Sequence, residues 1–411
     1  MKLLILTQYF PPEIGAPQNR LYELAVRLQQ KGADISVLTA MPNYPQMQIH
    51  QAYKGKFYSY EEMNSLKVHR AWIYVSKSKS IIIRLINYFS FVFSSLLIGL
   101  IKIKKHDILI VESPPLFLGI TAYLLSRVKK AELVFNVSDL WPESAEKLGL
   151  VTNKSMLKLS TYLEEFCYRK ATLITGQTQG ICKNISTRFP QKKVYWLKNG
   201  VDVNFYNTDK PIERNWREEN GFSMEDFILI YAGIIGYAQG LEVIIESAKN
   251  LVNQGDIKFV FLGSGPEKEK LLNLKNKFNL KNISFFEAVP KVKMQDILMA
   301  TDASIIPLRK LDIFKGAIPS KIFENLALRK PIILGVEGEA KELFIDDAKA
   351  GLAFEPENAN DLSQKIVEAY TNRNQLKEFG NNGYLFVKQY FSRDVIANDL
   401  WKFLNDNIKT N

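Results

Sequence analysis

Residues 309–327 hold the densest chemistry in the chain. Arg309, Lys310, Lys315 and Lys321 place four cations before or at the start of a helix entered through Pro319-Ser320. Cations beside the free N–H groups of a helix start suit a diphosphate. Glu324 follows one turn into that helix, where a carboxylate can accept from two adjacent sugar hydroxyls. The plainer alternative is a solvated basic loop and a carboxylate that only favours the helix dipole. Two glycine-bearing turns add to the phosphate reading. Gly233-Ile234-Ile235-Gly236-Tyr237-Ala238-Gln239-Gly240 and Phe261-Leu262-Gly263-Ser264-Gly265-Pro266 each follow a strand-like run. Neither is a Walker A sequence or a G-x-G-x-x-G fingerprint.

A separate carboxylate pair lies in Ser138-Asp139-Leu140-Trp141-Pro142-Glu143-Ser144. Asp139 could act as a base toward an acceptor hydroxyl or position it. It could equally cap the helix entered at Trp141-Pro142. Glu143 is a second acceptor-side candidate. No Asp-x-Asp triplet occurs, and His50, His69 and His106 lie far apart, so no metal and no cofactor are expected. Cys167 and Cys182 fit no zinc or redox spacing, and so low a count fits a reducing cytoplasm.

The elements that must position these groups are short Ile, Val and Leu runs alternating with helical patterns. Strands are expected at 2–7, 34–39, 67–74, 107–111, 132–137, 171–175 and 193–197, then again at 226–231, 257–262, 282–286, 302–306, 331–334 and 352–354. Leu21, Leu24, Ala25 and Leu28 mark the first helix, with Pro17 in its first turn and Gly32 at its end. Strand, helix, strand, repeated, predicts an α/β chain of two Rossmann-like, doubly wound parallel-sheet domains facing a central cleft. The expected divisions are 1–200, 201–383, and a helical tail 384–411 returning to the first domain. The joint falls near Asn199-Gly200-Val201-Asp202, with a polar run at 207–220 after it.

The chain has 411 residues, 46% apolar and 24% charged, which excludes a disordered, collagen-like or disulfide-scaffold protein. Its net charge of +11 favours anionic partners. Nucleic acid is not expected: no helix-turn-helix, zinc-finger or RNP pattern occurs. The N-terminal apolar run breaks at Gln8 and reads as a strand rather than a signal peptide. Residues 85–101 carry no charge, with Lys77, Lys79 and Arg84 before them and Lys102, Lys104 and Lys105 after. Three readings stand: a core helix, an interfacial helix with its lysines on anionic headgroups, or a membrane span.

The segment from Pro319-Ser320-Lys321 through Glu324 to Pro331-Ile332-Ile333 resembles the donor-binding signature of family 4 glycosyltransferases, which have the GT-B fold. Asn199-Gly200-Val201-Asp202 resembles that family's interdomain motif, and Tyr9-Phe10-Pro11-Pro12-Glu13-Ile14-Gly15 its N-terminal loop. The motifs at 138–144 and 236–242 are similar to those of the bacterial WbuB-like subgroup of O-antigen and capsule glycosyltransferases. The resemblance implies a retaining hexosyltransferase, and the missing Asp-x-Asp triplet a metal-independent one. It would move an N-acetylated amino or deoxy sugar from a nucleoside diphosphate, UDP favoured, to a polyprenyl-diphosphate-linked sugar acceptor. The implied place is the cytoplasm, peripherally on the anionic cytoplasmic face of the inner membrane. Glu324 would hold the ribose. Ser320, Lys321 and Ile322 would hold the diphosphate, with Lys321 and Asp139 as the catalytic pair. Gly15, Gly236 and Arg309 would approach the donor, Val289 would lie near its base, and Asp139 and Glu143 would meet the acceptor. Two departures matter. The family's second glutamate is matched by Gly316, and a common Arg and Lys by Ile235 and Gln239. The rival readings are a sugar-nucleotide epimerase of the same architecture and a non-catalytic nucleotide-binding subunit.

Overall fold

The computed structural model describes every residue except 14, 79, 150, 207–214 and 409–411. Part of the polar run at 207–220, and Lys79, therefore lie outside the described residues. The chain divides into two compact units, Met1–Asn199 with Arg393–Asn411, and Gly200–Ser392.

The first unit is built on eight strands: β1 (Lys2–Leu6), β2 (Asp34–Ala40), β3 (Tyr58–Met63), β4 (Leu66–Ala71), β5 (Ile108–Ser113), β6 (Glu132–Val137), β7 (Leu173–Gly176) and β8 (Val194–Trp196). Their order is β3-β4-β2-β1-β5-β6-β7-β8. All neighbours are parallel except β3, which runs antiparallel to β4. This edge strand is absent from the sequence expectation. Tyr-Ser-Tyr-Glu-Glu-Met is too polar and too exposed to read as a buried run. Its hairpin closes through Asn64 and Ser65, both with positive φ, as a type I′ turn requires.

Helices α1 (Ala16–Gln30), α2 (Ile81–Lys102), α3 (Leu118–Lys129) and α4 (Glu143–Lys147) connect strands of this sheet. The uncharged stretch at 85–101 thus lies inside a longer helix. By length and composition alone α2 could cross a membrane.

The expected tail needs a correction. Tyr384 is still inside helix Arg373–Tyr390 of the second unit, and the chain rejoins the first unit only at Arg393. Helix Arg393–Asn407 then buries Ile396, Ala397, Leu400 and Leu404 in the core beneath α1. Two ion pairs pin its start, Arg393 to Glu23 at 2.8 Å and Asp394 to Arg27 at 2.7 Å.

The second unit has six parallel strands: β9 (Phe227–Ala232), β10 (Ile257–Leu262), β11 (Ile283–Phe286), β12 (Ala303–Pro307), β13 (Ile332–Gly335) and β14 (Gly351–Ala353). Their order is β11-β10-β9-β12-β13-β14. The order reverses between β9 and β12, so the carboxyl edge at β9 is where an open sheet of this kind receives a ligand.

Candidate active site

Register brings the two glycine turns of the second unit together. Ala232 on β9 pairs with Leu262 on β10, so Gly233 and Gly263 begin adjacent turns. The turns continue the sheet's bonding, with Gly233 N–H to Leu262 O at 2.9 Å and Ile235 N–H to Ser264 O at 2.9 Å. Gly263 has φ +150°, and a Cβ there would collide with the Gly233 carbonyl. Gly265 has φ +155° and is blocked in the same way by the Ile235 carbonyl. The glycines are therefore needed for close backbone packing at the strand ends.

Lys321 lies against these turns. Its ammonium sits 3.7 Å from the centroid of the Tyr231 ring, a cation–π contact made where solvent is scarce. A Cβ at Gly233 would meet that ammonium at 3.0 Å. The Tyr231 hydroxyl is fixed by donating to Ile234 O at 2.5 Å. The lysine keeps some solvent access, yet its surroundings strip enough water to push its pKa down to about 7, opposed only by the charge of Glu324. Among the described residues no carboxylate reaches ion-pair distance of it. An anion placed beside such a lysine would favour its charged form.

The other cations of that loop are engaged elsewhere. Arg309 donates to Tyr237 O at 2.5 Å and stands 3.5 Å from Glu242 and 3.7 Å from Glu357. Lys310 pairs with Glu355 at 2.5 Å and Lys315 with Asp312 at 2.8 Å. Arg309 thus ties the loop after β12 to the turn at Tyr237, and Lys321 is the one of the four with no ion-pair partner among the described residues. The carboxylates that meet Arg309 and Lys310 lie far along the chain, whereas Asp312 is only three residues from Lys315.

Ser320 precedes helix Lys321–Ala327, and Glu324 is half-buried in its first turn. The N–H groups of Ser320 and Lys321 find no acceptor among the described residues, but that of Ile322 donates to Pro319 O at 3.1 Å. The Ile322 amide is thus already engaged, unlike the other two. Gly236 opens the short turn Tyr237–Gln239, and Val289 is half-buried between β11 and helix Lys291–Ala300. Gly316 ends the short turn Asp312–Gly316. A cavity of about 730 Å³ lies at the opposite edge of this sheet, where Thr301, Asp302 and Pro331 precede strands, away from these loops.

In the first unit, register again assembles the chemistry. Glu112 on β5 pairs with Asn136 on β6, and Asn136 with Thr175 on β7, forming a polar row near the carboxyl edge. Arg20 of α1 meets Glu112 at 2.5 Å, with both side chains about 5% exposed or less. Asn136 donates to Glu112 at 2.5 Å, Thr175 to Asn136 at 2.6 Å, and the Ser138 hydroxyl to Glu112. Arg20 also donates to Ser138 at 2.8 Å, while its other terminal nitrogen is buried without a partner. Sequence reading missed this network. Its available signal was a glutamate and an asparagine near the ends of otherwise apolar strands.

Asp139 follows directly. Its carboxylate accepts from the Ser144 hydroxyl at 2.8 Å and from the Leu140 N–H, while partial desolvation raises its pKa. It makes no side-chain cap to α4, whose first flanking residue is Pro142. Glu143 is held in an exposed pair with Lys147 at 2.5 Å, worth little energetically. Gly15 starts α1 with extended backbone, φ 173°, so its role is spatial: a Cβ would meet the Gln18 amide oxygen. Glu13, also missed, is buried and accepts from Asn43 and Tyr44 N–H at 2.8 Å, fastening the loop after β1 to the loop after β2.

A mutation separates the roles of Asp139. Asp139→Asn keeps a Ser144 acceptor, so the melting temperature should move by less than about 2 °C, while a base or a charged positioning group loses about 100-fold in turnover. Turnover within threefold of the parent would remove Asp139 from the chemistry.

Residues 18–205 match the family model described as Glycosyltransferase Family 4, and residues 212–386 the one described as Glycosyl transferases group 1. Escherichia coli WcaI, named for colanic acid biosynthesis, is 25% identical over 378 residues, spanning 90% of this chain and 92% of WcaI. The Campylobacter jejuni N-acetylgalactosamine-N,N'-diacetylbacillosaminyl-diphospho-undecaprenol 4-alpha-N-acetylgalactosaminyltransferase is 25% identical over 252 residues, 60% of this chain and 63% of that protein. Among solved structures, Anabaena HepE in complex with UDP-glucose superposes with a TM-score of 0.72 at 15% identity, covering 99% of this chain and 100% of HepE.

Proposed function

The chain belongs to glycosyltransferase family 4 and has the GT-B architecture, and from that premise we propose the reaction it catalyses. A sugar passes, with retention at the anomeric carbon, from UDP to a polyprenyl-diphosphate-linked glycan during surface-polysaccharide synthesis. The observation that carries this reading is the Lys321 ammonium beneath Tyr231, beside two interlocked glycine turns at a sheet's carboxyl edge. Bond breakage leaves growing negative charge on the departing diphosphate. A cation already held in place stabilises that charge without reorganising.

We assign the roles by the family resemblance together with this placement. Lys321 and the Ser320 and Lys321 amides meet the diphosphate, Glu324 the ribose and Val289 the base. Gly236 leaves the turn after β9 open to the donor. In the first unit Asp139 receives or orients the acceptor hydroxyl, with Glu143 at its margin and Gly15 beginning the helix behind. UDP is supported by the likeness to HepE, and a lipid-linked acceptor by the Campylobacter relative's named substrate. Such an acceptor places the enzyme at the cytoplasmic face of the inner membrane.

Among the described residues no group of three His, Cys, Asp or Glu could hold a metal ion. Protein groups are proposed to offset the leaving-group charge, so transfer should proceed in EDTA. The test mixes the protein with a panel of UDP- and GDP-sugars and vesicle-borne polyprenyl-diphosphate sugars. Mass spectrometry should detect an acceptor one sugar heavier, and UDP release should be unchanged by EDTA. Strict dependence on added divalent ion would overturn the metal-independent mechanism. Free sugar and UDP formed at the same rate without acceptor would favour the epimerase.

A further inference from the structure

We propose that the outward face of α2 docks the first unit, in the plane of the membrane, on an anionic phospholipid surface. This rests on the lipid-linked acceptor proposed above, and it adds the surface and the mode of contact.

The exposed residues of α2 form one line. Ile82, Ile86, Phe89, Phe93, Leu97 and Leu100 recur at steps of three and four, each 36% to 69% exposed, and Ile101 adds 64% at the end. The eighteen helical steps from 82 to 100 make a stripe about 27 Å long on one side of the helix. The opposite side is occupied. Phe91, Val92, Ser94, Ser95 and Ile98 are buried against the unit's core, and the Ser94 hydroxyl donates to Trp72 O. A helix packed along one side cannot meet lipid all round, so it lies on the bilayer and does not cross it.

The stripe has margins of the right kind. On one flank are exposed Trp72 and Tyr74, the latter tied to α2 by its N–H to Ser90 Oγ at 2.8 Å. Amphipathic rings favour the headgroup layer. On the other flank α3, bonded through Thr121 to Val92 O at 2.9 Å, exposes Leu124 and Val128. Exposed Arg84, Lys102, Lys104, Lys105, Arg127 and Lys130 surround this apolar area. No Asp or Glu occurs from 63 to 106. Two such faces would repel each other, which disfavours a second copy as occupant and favours a negative surface.

The helix is also wired to the acceptor-side loops. Phe89 contacts Phe117 at 4.8 Å between ring centroids, and Phe117 contacts Trp141 at 5.8 Å, two residues beyond Asp139. Asn87 accepts from Gln8 at 3.3 Å, in the loop after β1. Docking α2 therefore holds both loops close to the headgroups, where a membrane-tethered diphosphate sugar must be met.

Flotation of the full chain with phosphatidylglycerol-containing and pure phosphatidylcholine vesicles tests this. At least tenfold greater recovery with the anionic vesicles is expected, with release by alkaline carbonate. Ile82→Gln/Phe93→Gln/Ile101→Gln and, separately, Lys102→Gln/Lys104→Gln/Lys105→Gln should each lower recovery at least tenfold. Both should leave UDP affinity and melting temperature unchanged, which confirms that folding is intact. Equal recovery of parent and variants, retention after carbonate, or a dimer dispersed by the apolar substitutions would each overturn the proposal. Stripe-dependent binding without transfer to any lipid-linked acceptor would leave the docking face standing and sink the proposed acceptor.

Discussion

Lys321→Ala should lower kcat about 150-fold, the rate equivalent of about 3 kcal/mol of lost charge stabilisation in the transition state. The fold should tolerate the change, because the side chain makes no ion pair among the described residues and its charge is already disfavoured by burial. A pH signature accompanies this. With the free-state pKa near 7, the lysine is mostly neutral at pH 8 and must take up a proton when a diphosphate binds. Calorimetry in buffers of different ionisation enthalpy should show nearly one proton taken up per UDP at pH 8, and none in the alanine variant. UDP affinity should fall as pH rises above 7.

The stability linkage has the opposite sign. Unfolded lysine titrates near about 10.4, so from about pH 7 to that value the unfolded chain binds more protons. This group therefore makes the free protein more stable as pH rises through that window. UDP, by raising the folded pKa, removes that gain. Full turnover in Lys321→Ala, or UDP binding with no proton uptake at pH 8, would exclude Lys321 from the diphosphate site.

Glu112→Ala should strongly destabilise the first unit. It strands Arg20 as a buried, uncompensated cation, and removes acceptors for Asn136 and Ser138. Breaking such a pair costs about 3–5 kcal/mol. In a unit of this size that is a fall of roughly 6–20 °C in melting temperature. The paired replacement Arg20→Met/Glu112→Met should recover most of the loss, because it removes both charges and keeps volume. A loss below 1 kcal/mol for the single variant would mean that water reaches the pair. Since Ser138 leads directly into Asp139, Glu112→Gln should impair acceptor turnover more than donor affinity.

What the sequence revealed and what it hid divide by range. Ser320, Lys321 and Glu324 were legible because one helix entry brings them together within five positions. The buried strands were legible because Ile, Val and Leu runs need no knowledge of their neighbours. The edge strand Tyr58–Met63 was not, since none of its residues is fully buried and two are glutamates. Arg20 and Glu112 stand 92 residues apart and meet only through the order of strands in the sheet. The partners of Arg309, Glu242 and Glu357, lie far from it in sequence and reach it only through folding. For 85–101, composition exposed an apolar helix, but only packing revealed which side is covered.

The return of the chain at Arg393 bears on how the protein is made. Its second unit, Gly200–Ser392, is in effect an insert, entered after Asn199 and left before Arg393. The two crossings run side by side, with Val201 N–H bonded to Phe391 O at 3.0 Å. On the ribosome, the insert emerges whole while the earlier unit still lacks Ile396, Leu400 and Leu404 over α1. The half translated first is thus the half that finishes folding last, and until then an uncovered greasy surface awaits the final helix.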